Sequence, residues 1–156
     1  MRAPQIRELV EQEAIQLSLF DQKDLAAIQS PDYPGERLIA CRNPFLAEER
    51  AATREALLQA TEKELNKIVA ATTRSQRRLV GAEKIGVRVG KIINRYSVAQ
   101  HFNLSITDNS FSYERHSEKI AAEANLDGMY VIRTSVSESI LDDPSTVKAY
   151  KSLSQV

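Results

Sequence analysis

The chain has 156 residues, 42% of them hydrophobic and 27% charged, with 21 basic side chains against 21 acidic ones. That length suits one ordinary domain with a core of its own, and that composition excludes disorder along most of the chain. No apolar run approaches the ~20 residues of a membrane-spanning helix, and the lone Cys41 cannot close an internal disulfide, so the expected setting is cytoplasmic with no membrane partner.

Ile6, Leu9 and Val10 fall at helical spacing, after which Ile15, Leu17 and Leu19 alternate with polar neighbours like a half-buried strand. Residues 21–36 contain Ser30-Pro31-Asp32-Tyr33-Pro34-Gly35, whose prolines and glycine predict a loop. Arg37-Leu38-Ile39-Ala40-Cys41 reads as a short apolar strand, and Asn43-Pro44 as an N-cap followed by proline in the first helical position. That helix is expected to run to about Ala71, with Phe45, Leu57, Leu58, Leu65, Ile68 and Val69 on its apolar face. A second helical stretch from Ser75 to Phe102 carries Ile85, Val89, Ile92, Ile93 and Tyr96, and the two helices are expected to pack as a hairpin. Gly81, Gly86 and Gly90 weaken this second helix by roughly 1 kcal/mol each, so close packing is expected to compensate.

Leu104–Thr107 and Phe111–Tyr113 alternate apolar and polar residues about Asp108-Asn109, the pattern of a β-hairpin. A short helix is expected over 117–125, and Asp127-Gly128 turns the chain into Met129-Tyr130-Val131-Ile132, an unbroken apolar run that predicts a central strand. Asp143-Pro144 opens a last helix in which Val147, Tyr150 and Leu153 share a face.

Charge is unevenly spread: residues 67–95 hold eight basic side chains and one acidic, inside an otherwise mildly acidic chain. Such asymmetry often marks a surface that meets a polyanion. Arg77, Lys84, Arg88, Lys91 and Arg95 follow one another at steps of seven, four, three and four, which on a single helix puts all five along one stripe, offset from its apolar face. The stripe either follows a phosphate backbone, with an affinity that falls steeply with salt, or is a solvated face paired with acids elsewhere in the chain. The near absence of acids within the segment favours DNA.

Other chemical signatures are weak. The three glycines interrupt a helix and do not make a phosphate-cradling loop. His101 and His116 have no second ligand at metal-binding spacing and read as surface or turn residues. Asp142 and Asp143 read as a helix cap, Asp127 as a turn residue, Asp21, Asp24 and Asp32 as loop residues, and Cys41 as a small buried side chain. No catalytic set, metal site or cofactor site is expected from these residues.

Arg2-Ala3-Pro4-Gln5-Ile6, Leu19-Phe20-Asp21, Pro34-Gly35-Glu36-Arg37-Leu38, Cys41-Arg42-Asn43-Pro44, Gly90-Lys91-Ile92-Ile93-Asn94-Arg95-Tyr96 and the run from Asp127 to Thr134 occur in a telling order. Together they resemble a stretch of bacterial insertion-sequence transposases of the DDE class, over nearly the whole chain. The resemblance implies an α/β fold, an incomplete ribonuclease-H-like core with a mixed helical and β insertion region. It implies a core-proximal segment at 1–43, the insertion at 44–126, and a core strand with a truncated helix at 127–156. DNA is the implied partner, together with intact transposase subunits, and the intact family performs cut-and-paste transposition with magnesium.

Tyr150 resembles the tyrosine of a family signature whose arginine position falls here on Leu153, a departure, and whose glutamate would follow Val156 directly. The two catalytic aspartates would lie before Met1. Two-metal phosphoryl transfer needs converging carboxylates, so the chain is expected to lack the acidic triad and to be inactive alone. A DNA-binding or subunit-interaction module that modulates an intact transposase is the alternative.

Overall fold

Burial on both faces is what makes the run Leu38-Ile39-Ala40-Cys41 apolar without a break. In the computed structural model, which describes residues 1–20 and 24–153, each of these four is at most 2% exposed and lies in the middle strand of an antiparallel sheet. Asp21 and Val156 lie outside the described residues. The elements in chain order are α1 (Ala3–Glu11), β1 (Leu25–Ile28), β2 (Arg37–Arg42), α2 (Pro44–Thr73), α3 (Ala82–Ile93), β3 (Phe102–Ile106), β4 (Phe111–Arg115), α4 (Ser117–Ala124), β5 (Met129–Thr134) and α5 (Asp143–Leu153). The fold is thus α/β with small antiparallel sheets. It divides into two units, one formed by Met1–Arg50 and the chain from Asn125 onward, the other by Ala51–Ala124.

In the first unit the strand order is β1-β2-β5, with Ile39 opposite both Ala27 and Ile132. Leu38, Ala40, Met129 and Val131 pack against Ile6 and Leu9 of α1. On the other face Ile39, Cys41 and Ile132 meet Val147 of α5. Full burial of each large aliphatic side chain contributes roughly 1.5–3 kcal/mol. The strand expected to be central, Met129–Ile132, lies instead at an edge, because helices above and below the sheet, not strands on both sides, bury it.

Two local expectations are corrected here. Leu17–Phe20 forms a 3-10 turn and not a strand, since Glu13 has a left-handed backbone and the Ile15 amide folds back to the Leu9 carbonyl at 3.1 Å. The segment 21–36 is not all loop, because Leu25-Ala26-Ala27-Ile28 pairs with β2 as β1.

The remaining loop is well tied. Arg133 stacks over the Tyr33 ring at 4.6 Å and grips the Glu36 carboxylate through Nε and Nη2 at 2.9 and 3.0 Å. Arg37 donates to Asp143 Oδ1 at 2.8 Å, to the Leu141 carbonyl at 2.6 Å and to Thr146 Oγ1 at 3.2 Å, fixing the start of α5 to β2. Asp142 caps that helix, accepting from the Ser145 amide at 2.8 Å, and Ser145 holds the Asp142 carboxyl below its usual range. Of the three apolar residues expected to share a face of α5, only Val147 is buried; Tyr150 is 51% and Leu153 76% exposed.

Asn43 caps α2 as its residue type predicts, its Oδ1 accepting from the amides of Phe45 and Leu46 at 3.1 and 3.3 Å. Phe45, expected on the apolar face, is 83% exposed; the buried face of α2 begins only at Leu58 and continues through Thr61, Leu65 and Ile68.

In the second unit Leu58, Leu65, Ile68 and Ala71 of α2 share a core with Ile85, Val89 and Ile93 of α3, the expected helical hairpin. Phe102 and Phe111 of the β3–β4 hairpin close the same core. The hairpin turn is locked by Thr107, whose Oγ1 accepts from the Ser110 amide at 3.0 Å. His101, expected as a surface or turn residue, lies in the 3-10 turn before β3 but is 2% exposed, because that turn carries it inward, where Nε2 meets the Glu123 carboxylate of α4. His116 instead caps α4, its Nδ1 accepting from the Lys119 amide at 3.4 Å.

Arg115 ties β4 to α2 with two forks, one on Glu55 at 2.8 and 3.0 Å and one on Glu62 at 2.7 and 2.9 Å. The Arg115 hydrogen bonds lower the Glu55 pKa, with Gln59 adding to the effect. A carboxylate depressed by folding stabilises the protein above its unfolded pKa and loses that contribution as pH falls through the folded value. Acid is therefore expected to weaken this clamp below about pH 4.3, and Arg115→Ala should flatten the stability-versus-pH curve there; a variant curve parallel to wild type would contradict this.

Candidate nucleic-acid interface on helix α3

Gly81 decides where α3 begins. Its φ of 104° is outside the helical range, and its amide donates to the Asp108 carbonyl at 2.7 Å, while Asp108 Oδ1 accepts from the Ala82 amide at 3.2 Å. A residue of the β-hairpin turn therefore caps α3. Glu83 in the first turn and Lys91 in the last complement the helix dipole.

This start breaks the expected stripe of five cations. Lys84, Arg88 and Lys91 lie on α3, whereas Arg77 lies before it with a left-handed backbone (φ 50°), its carbonyl accepting from Arg74 Nε at 2.7 Å. Arg95 follows the helix; the Glu64 carboxyl is held below its usual range by Lys67, paired at 2.7 Å, with the charge of Arg95 adding to the effect.

The other three cations converge. With Leu79, Glu83 and Val87 they line an open groove of about 460 Å³. All three are exposed, and none has a hydrogen-bond or ion-pair partner among the described residues. Val87 is 54% exposed on the same face, directed away from the core that Ile85, Val89 and Ile93 join.

No family model, curated protein or solved structure matches the chain.

The glycines of α3 do not serve close packing. Cβ atoms built at Gly86 and Gly90 would meet nothing within 4 Å, and at 100° per residue both positions fall on the flank opposite Lys84 and Arg88. Gly86→Ala and Gly90→Ala are therefore each expected to stabilise the protein by roughly 0.5–1 kcal/mol. Urea denaturation followed by circular dichroism checks this, and a lowered midpoint would show that the helix needs these glycines.

The remaining candidates stay apart. Among the described residues no group of three or more His, Cys, Asp or Glu side chains could hold a metal ion. Cys41 is buried in β2, and burial pushes its thiol up; burial also pushes the neighbouring Tyr130 phenol up to about 12. Asp127 is buried in the turn before β5. Among the described residues no helix is long and apolar enough to cross a membrane.

Sequence spacing found the three cations but missed the groove's other members. Val87 carried a signal: a valine between Lys84 and Arg88, two positions from both Ile85 and Val89 and so on the opposite side of the helix from them. Leu79 carried none, because its place depends on how the loop before Gly81 folds.

Proposed function

We propose that the chain is a DNA-contacting part of a protein related to the DDE transposases, with a role in binding and not in strand chemistry. The observation that carries this reading is the groove in which Lys84, Arg88 and Lys91 converge without partners among the described residues. Exposed cations left unpaired by their own fold are free to displace counterions from phosphates, and each such contact contributes about −0.9 to the slope of log affinity against log salt.

In this reading the β1-β2-β5 sheet, covered by α1 and α5, belongs to a ribonuclease-H-like core. Residues 44–126, which include the unit Ala51–Ala124, belong to the insertion. A cytoplasmic setting and transposase subunits as further partners go with the same reading. The exposed Ile140, Tyr150 and Leu153 favour the second reading, a subunit-interaction module acting on intact transposase.

Fluorescence anisotropy of a labelled duplex, titrated with the chain over a series of salt concentrations, tests the proposal. Two or three phosphate contacts predict a log–log slope of about −1.8 to −2.7. Absence of binding at low salt, or binding indifferent to salt, would overturn it.

A further inference from the structure

We infer that the exposed face of α3 reads base edges in the major groove of duplex DNA and does not merely follow phosphates. The inference rests on the DNA-binding reading and deepens it. Two members of the groove are out of place on a surface made only for phosphates. Glu83 is exposed beside Lys84 and would be repelled by a phosphate backbone. Val87 is 54% exposed at the centre of the same face, where a phosphate offers it nothing.

Base edges account for both. A carboxylate accepts from the amino group of cytosine, and an aliphatic side chain packs on the methyl group of thymine. Arg88, one residue beyond Val87, has the forked donor geometry that pairs with guanine, while Lys84 and Lys91 suit flanking phosphates. The dimensions agree: twelve residues make a helix about 18 Å long and about 10–12 Å across, and the major groove is about 12 Å wide. Glu83 and Val87 are one turn apart, so both can meet the floor of one groove.

The test is selection of bound duplexes from a random pool by the intact chain, followed by anisotropy on the enriched and on a scrambled duplex. Wild type is expected to prefer the enriched sequence by at least about tenfold, since each mismatched base pair typically costs about 1–3 kcal/mol. Glu83→Gln and Val87→Ala should lose that preference while keeping the salt slope, and Glu83→Gln should bind the scrambled duplex more tightly than wild type. Both positions are exposed, so circular dichroism should show unchanged folding.

An unenriched pool, with wild type and both variants binding all duplexes alike and with the usual salt slope, would overturn base reading while leaving DNA binding in place. Absence of binding to any duplex would overturn both. Competition by poly-glutamate as effective as by DNA would assign the face to an acidic protein partner and also overturn the inference.

Discussion

Gly128→Ala is expected to destabilise the protein by about 2–5 kcal/mol, and two separate causes add to that figure. A left-handed backbone costs an L-residue about 1–2 kcal/mol, and Gly128 has φ 72°. Forcing extra atoms into a filled site costs about 1–3 kcal/mol more. A Cβ at Gly128 would overlap the Asn43 carbonyl oxygen and come within 2.9 Å of Ala47 Cβ. The Gly128 carbonyl also accepts from the Asn43 amide at 2.8 Å, so moving the turn would disturb the cap of α2.

Gly35 separates the two causes. Its φ is also 72°, yet a Cβ there would meet nothing within 4 Å, so Gly35→Ala should show only the backbone cost. Urea denaturation of the two variants reads the difference directly. Equal losses would mean that the packing of the Asp127-Gly128 turn on α2 contributes little.

The triple replacement of Lys84, Arg88 and Lys91 by alanine is expected to weaken duplex binding by about two to three orders of magnitude near 0.1 M salt. The salt slope should lose about 1.8 to 2.7, at roughly 0.9 for each phosphate contact removed. Stability should barely change, because these side chains have no partners among the described residues and alanine is the best helix former. A variant that folds normally and binds DNA as wild type does would remove the groove from the account. Arg95→Ala is the control, since Arg95 does not line the groove.

Legibility in the sequence followed how local the physics was. The cap at Asn43, the hairpin about Asp108-Asn109 and the strand at Arg37–Cys41 were readable, because a short polar side chain, a turn pair or an apolar run acts within a few residues. β1 was hidden because two alanines give its four residues little strand character, and only pairing with β2 makes it a strand. β5 was read as an interior strand for a sound reason, burial on both faces, but helices supply that burial.

The groove shows the same division. Periodicity put Lys84, Arg88 and Lys91 on one face, yet could not see that α3 begins only after Gly81, leaving Arg77 outside it, or that α3 stops at Ile93, before Arg95. His101 was misplaced because its burial depends on Glu123 and α4, beyond the reach of any local pattern.

The most direct test of the central claim is an amide-resolved NMR titration of the isotope-labelled chain with a short duplex at low salt. The account predicts that the largest shifts fall on Leu79 and on residues 82–93, and that they vanish as salt rises. Shifts centred on the β1-β2-β5 sheet or on α5, with α3 unmoved, would contradict it.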